Sequence, residues 1–190
     1  MQCVLREKLL ERAIALAKVS VVYRTEAQEF VDAYIAWLEQ TERELANLRT
    51  PISILLQAEK SRVTAVLDGY VPTEVQSEKS PRKRQRAIAA QSLERISKEL
   101  HTKIESIDHL LNQIKEKLCH AVAVLATKEP ELYATLDVNQ ASVDAIWRKL
   151  AYQPETIPMF NYFCAALASI DRNYVLMDLI ANIVSNRAAV

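Results

Sequence analysis

Glycine is almost missing from this chain. Gly69 is the single one in 190 residues, where average usage of about 7% would give around thirteen. Sheet proteins need glycine for tight hairpins and bulges, so the scarcity argues against strands. It also excludes phosphate loops, dinucleotide-binding turns and nucleophile elbows, each of which needs several glycines. Cysteine is scarce too. Cys3, Cys119 and Cys164 are odd in number and far apart, with no Cys-x-x-Cys pair. That pattern predicts buried thiols in a reducing compartment rather than a disulfide framework or a zinc site.

An excess of either charge is also lacking. Lys and Arg total 24, and Asp and Glu total 24, so no global field draws nucleic acid or anionic lipid. Long apolar runs are absent. The most apolar stretch, 157–170, is too short to span a bilayer, and Asp171, Arg172 and Asp178 follow it. Glu7 and Glu11 stand where the apolar run of a secretory leader would lie. The expectation is a cytoplasmic protein with no membrane contact.

What the chain has in abundance is helix-forming residues: half of it is hydrophobic and a quarter charged. From Val4 to Arg49 nothing breaks a helix. Leu9, Ala13, Leu16, Tyr23, Ala27, Phe30, Val31, Tyr34, Leu38, Leu45 and Leu48 recur three or four residues apart. The spacing predicts one long helix, with an interruption around Ser20 to Tyr23 as the alternative, because β-branched residues crowd there. Thr50-Pro51 reads as a cap followed by a first helical residue, a restart, with a kinked continuation of the first helix as the rival reading. Gly69 ends that helix. Residues 70–80 are a polar loop, and Ser80-Pro81 starts a helix predicted to reach Lys128.

That helix carries the most regular pattern. Leu93, Leu100, Ile107, Ile114 and Ala121 occupy one heptad position, and Ile104, Leu111, Leu118 and Leu125 the other. This is the seam of a coiled coil. Leu100, Ile104, Ile107, Leu111, Ile114 and Leu118 are therefore the candidate oligomer seam, within one chain or between chains. Beyond Glu129-Pro130, Asp137-x-x-Gln140 resembles a capping box before a helix bearing Val143, Ile146, Trp147 and Leu150. Thr156 is a candidate cap for one final helix. On it Phe160, Leu167, Tyr174 and Ala181 alternate with Phe163, Ile170, Met177 and Val184. Leu176, Leu179, Ile180 and Ile183 add a second apolar side, which a helix needs only between other elements or at an oligomer interface. The predicted fold is an all-α helical bundle with two long amphipathic helices, antiparallel and coiled-coil-like, and a smaller C-terminal helical part. Residues 1–128 form the long-helix region, and residues 129–190 pack on the same core.

Candidate chemistry is sparse. Arg82, Lys83, Arg84 and Arg86 crowd the start of the 81–128 helix, with Lys79, Arg95, Lys98 and Lys103 nearby. Cations are disfavoured at the positive end of a helix dipole. A docked phosphate would relieve that conflict, so these four residues are candidate nucleic-acid contacts over 79–103. No aromatic residues interleave them to stack single-stranded bases.

Glu105/His109 and Glu116/His120 are i,i+4 pairs on one helix face, and His101 lies on the same helix. The two pairs are about 16 Å apart along the axis and cannot share an ion. Neither a metal nor a cofactor is expected. The Arg95-to-His101 spacing is similar to the Arg-x₄₋₆-His motif of small α-helical prokaryotic ribonucleases. Ile96 departs from it, where those enzymes carry a polar residue.

No catalytic residue emerges, and three readings stand. The first is a non-enzymatic structural or protein-interaction module that forms a homodimer or larger assembly. The second is a nucleic-acid-associated protein, and the third a metal-dependent or ribonuclease-like enzyme. The seam carries its own prediction. Leu111→Asp dissociates or unfolds the protein, and native mass with native melting temperature in that variant would refute a buried seam.

Overall fold

The structure is a computed structural model describing residues 1–25, 29–48 and 50–188. Among these the chain forms eight α-helices, two short 3-10 turns and no strand, an all-α helical bundle. None of the described helices is long and apolar enough to cross a membrane. The chain divides into two compact units, Val4–Ser106 and Ile107–Val190, the second joined by Met1–Cys3. The division falls inside a helix, rather than at the expected boundary after Lys128.

In the first unit the expected helix from Val4 to Arg49 is two helices, α1 (Gln2–Arg24) and α2 (Phe30–Leu45). The interruption follows the β-branched run. There the Thr25 hydroxyl donates back to the carbonyls of Val21 and Val22 at 3.2 and 3.1 Å, competing with the helical ladder. Ala27 and Arg49 lie outside the described residues. The Trp37 indole N–H donates to the Arg12 carbonyl at 3.1 Å, joining α2 to α1. Lys60 donates to Glu42 at 2.6 Å, joining α3 (Pro51–Leu67) to α2.

Thr50 has extended backbone (φ −92°, ψ 143°) before Pro51, so α3 is a fresh start and not a kinked continuation. The Thr50 hydroxyl does not cap it; the Ser53 hydroxyl donates to the Thr50 carbonyl at 2.6 Å instead. At the other end Gly69 takes φ +100°. Its N–H donates to the Val66 carbonyl, and the Tyr70 N–H to the Ala65 carbonyl. These two bonds define a Schellman stop, whose left-handed residue favours glycine.

α4 runs from Pro81 to Lys128 as one helix of 48 residues, as predicted. Its buried line in the first unit is Ile88, Ser92, Ile96 and Leu100, in steps of four, while Leu93 of the expected heptad is only half-buried. A polar pair explains the displaced line. The Tyr34 and Ser92 hydroxyls share a hydrogen bond of 2.8 Å inside the core, and burial, helped by the Glu59 charge, raises the Tyr34 pKa. Glu59 of α3, only 3% exposed, meets Arg95 of α4 at 2.5 Å and Arg62 at 3.7 Å. A carboxylate so deeply placed requires such partners.

The second unit packs residues 107–128 of α4 with α5 (Pro130–Ala134), α6 (Gln140–Tyr152), α7 (Ile157–Ala166) and α8 (Ser169–Ala188). Ile114, Leu118 and Leu125 meet Val143, Ile146, Leu150, Phe163, Leu176 and Ile180 in its core. The cap of α6 is Asn139, not Asp137. Asn139 accepts the Ser142 N–H at 2.9 Å, and the Ser142 hydroxyl accepts the Asp137 N–H at 3.1 Å. Thr156 precedes α7 but turns its hydroxyl backward. It donates to the Leu150 carbonyl at 2.9 Å, satisfying the end of α6 instead of capping α7.

The single final helix expected from the heptads is broken. Leu167 is extended (φ −131°, ψ 146°) and buried, and α8 restarts at Ser169. The registers of α7 and α8 are continuous in sequence, yet the break lets each helix choose its own buried face.

Asp171, in the first turn of α8, is fully buried. It accepts the N–H groups of Gln2 at 2.6 Å and Cys3 at 3.0 Å, with the Met1 nitrogen at 3.1 Å. Burial alone would raise its pKa. The Gln2 and Cys3 N–H bonds and the adjacent ammonium outweigh this and hold it below the usual carboxylate value. With a lowered native pKa, the stabilisation is fully present above the unfolded value of about 3.9 and is lost as pH falls through the native value. Asp171→Asn keeps one acceptor oxygen but turns its amide NH₂ against the other N–H donor, and should cost about 1–3 kcal/mol at neutral pH. It should also flatten the acid side of the stability curve. Urea denaturation at pH 7 and across the acid range checks both. Unchanged stability at pH 7 would show that the carboxylate holds nothing.

Candidate interaction surface

α8 is apolar on two sides, and the two sides have different fates. Leu176, Leu179 and Ile180 are buried in the second unit's core. Ile170, Tyr174, Met177 and Ala181 follow one another at steps of four, three and four, so they lie within about 60° of one another around the axis. Ile170 is 52% exposed and Tyr174 58%, and Met177 and Ala181 are half-buried. Together they floor an open groove of about 550 Å³, edged by Gln140, Asn173 and Asp178. Lys115 of α4 holds Asp178 at 2.5 Å.

Other exposed apolar side chains, such as Ile14, Val21 and Ile54, are of the scattered kind ordinary on a protein surface. A smaller hollow of about 310 Å³ lies where the start of α3 meets Glu99 and Lys103 of α4. Its two charged residues are of opposite sign.

The expected seam is filled by the chain's own residues. Leu100, Ile104, Ile107, Ile114 and Leu118 are buried in a single copy, and Leu111 packs half-buried against the second unit's core. Within this chain these side chains are already covered, so an oligomer contact has to use other residues. Leu111→Asp accordingly tests stability of the second unit and not an interface between copies.

The basic segment is divided. Arg84 folds back and donates to the carbonyls of Glu78 and Lys79, tying down the loop just before α4. Arg86 donates to the Tyr23 carbonyl at the end of α1, with its guanidinium 4.8 Å from the Tyr23 ring centre and 5.6 Å from that of Phe30. These two cations meet carbonyls or rings, which eases the expected conflict with the helix dipole at their positions. Arg82 and Lys83 are exposed, with no partner beside them among the described residues.

The histidines are exposed. His101 approaches Glu105 at 3.1 Å, and His109 shares a 3.0 Å hydrogen bond with Gln113. Among the described residues no three His, Cys, Asp or Glu side chains gather to hold a metal ion. Of the ribonuclease-like residues, Arg95 pairs with Glu59 and His101 with Glu105.

The cysteines depart from expectation. Cys119 and Cys164 are exposed and Cys3 half-buried. Cys119 follows buried Leu118, and Cys164 follows buried Phe163. One helical step of about 100° carries each thiol out of the core. Arg172 donates to the Cys164 sulfur and lies over the Trp147 ring, 5.7 Å from its centre. The groove residues Ile170, Tyr174, Met177 and Ala181 belong to the heptad side expected of the final helix, and the second apolar side, Leu176, Leu179 and Ile180, is the buried one; which side faces outward was not legible. No family model, curated protein or solved structure matches the chain.

The divided basic segment generates a stability prediction. Arg86→Ala loses two ring contacts and a carbonyl bond and should cost about 1 kcal/mol or more. Lys83→Ala should stay within about 0.5 kcal/mol of wild type. Equal losses in urea denaturation would mean that Arg86 has no special place.

Proposed function

We propose that the chain is a non-enzymatic helical interaction module that self-associates, with the outer face of α8 as its working surface. The observation that carries this is the groove over Ile170, Tyr174, Met177 and Ala181. A contiguous apolar groove with a polar rim is what a docking surface requires, and a monomer gains nothing by leaving it in water. The residue types suit the role. Tyrosine brings large contact area at low entropy cost, and methionine adapts to the shape it meets.

The deeper polar groups are occupied elsewhere: Glu59 by two arginines, Asp171 by backbone N–H groups, Tyr34 by Ser92. None of them converges on the groove. The exposed thiols of Cys119 and Cys164 suit a reducing, cytoplasmic setting. Nucleic-acid contact is less well supported, because Arg84 and Arg86 are already engaged within the chain.

Tyr174→Glu puts a charge at the centre of the face while replacing a side chain that packs little in the monomer. Self-association measured by light scattering after gel filtration should weaken at least tenfold. The melting temperature should hold, as expected for a surface change of about 0.5 kcal/mol or less. A variant that self-associates as wild type does would rule out this face.

A further inference from the structure

We propose that the occupant of the α8 groove is α8 of a second copy, laid antiparallel, with Ile170 opposite Ala181 of the second copy and Tyr174 opposite Met177 of the second copy. This rests on the reading of that face as the self-association surface and adds the element it meets, the direction and the register. The first support is spacing. The steps 170 to 174, 174 to 177 and 177 to 181 are four, three and four residues, and they read the same in both directions. A two-fold axis between residues 175 and 176 therefore carries the stripe onto itself with the chain reversed. Such a face is self-complementary, as an isologous contact must be.

The second support is volume. A parallel, in-register pair sets Tyr174 against its own copy and Ala181 against its own copy, too wide at one layer and hollow at another. The antiparallel pair sets a large side chain against a small one at Ile170 and Ala181, and a ring against a flexible thioether at Tyr174 and Met177. Layers of matched thickness are what close packing requires.

The third support is charge. Asp178 is the groove's charged side chain. A parallel pair brings it level with its own copy. The antiparallel pair displaces the two by five residues, about 7.5 Å along the axis. Each then comes beside Tyr174 of the second copy, on the same flank of the helix, where a hydroxyl can donate to the carboxylate. Asp178 keeps that capacity, being 59% exposed although Lys115 holds one oxygen.

The stripe covers little more than three turns. The contact therefore sits at the small end of specific interfaces, about 1,200 Å² in total or less. The dimer is expected to exchange with monomer in the micromolar range.

Sedimentation equilibrium of the full chain, from roughly 1 to 300 µM, reads this directly. Wild type should move from monomer to dimer mass. Ile170→Glu and Ala181→Lys should each weaken the dimer at least tenfold, with melting followed by circular dichroism to verify the fold. The double variant should regain most of the loss, because in the antiparallel register each introduced charge meets its opposite on the second copy. In a parallel register it would meet its own sign.

Single variants that weaken the dimer without rescue in the double variant would overturn the register and leave the α8 face in place. Wild type that stays monomeric, or single variants that dimerise normally, would overturn the docking surface itself. Should a variant melt early, a spin label at Asn186→Cys, with Cys3, Cys119 and Cys164 changed to Ser, decides the direction. The antiparallel pair separates the labels by about 30 Å along the axis and the parallel pair brings them level. A short label-to-label distance overturns the proposal.

Discussion

Both compact units are built against a single unbroken helix. α4 supplies Ile88, Ser92, Ile96 and Leu100 to the first and Ile114, Leu118, Ala121 and Leu125 to the second. Everything else in each unit has to present apolar surface to that helix, because an amphipathic helix in water is stabilised chiefly by what covers its apolar side. Its line of buried residues changes from steps of four to alternating threes and fours between the two units. The helices that cover it also differ in number: α1, α2 and α3 in one unit, and α5, α6, α7 and α8 in the other.

Buried charge is met inside each unit by opposite charge or by backbone donors. Glu59 is hydrogen-bonded to the Arg95 guanidinium with that of Arg62 at 3.7 Å, and Asp171 accepts two backbone N–H groups from the start of α1. Arg84 and Arg86 follow the same economy at the start of α4, where cations would otherwise oppose the helix dipole. A segment that looks like a recognition patch in one dimension becomes in part a set of internal ties.

What remains uncommitted is apolar. α8 uses one apolar side to close the second unit and carries another that the unit leaves largely open, with Ile170 and Tyr174 exposed. The unused side is ordered and floored by four residues on one line, and its edge holds one paired carboxylate. A surface of that kind gains free energy from burial more than from any polar chemistry.

Much of the fold could be read from local rules. The absence of glycine and the three-four spacing declare helices; Thr50-Pro51 and Ser80-Pro81 mark starts, and Gly69 marks a stop by its tolerance of positive φ. These follow from backbone sterics and hydrogen bonding over a few residues, so the sequence alone determined them, along with the extent of α4 and the two-sided character of α8. Periodicity reports that a face is apolar but not what lies against it. Only the tertiary structure decided that the Leu100–Leu118 seam is covered within the chain, and that Ser92, bonded to Tyr34, and Ile96 are buried where Leu93 is only half-buried. It also decided that a break at Leu167 turns Ile170 and Tyr174 outward. Burial is a property of neighbours distant in sequence, and the packing of those neighbours selects one apolar face over another of equal hydrophobicity.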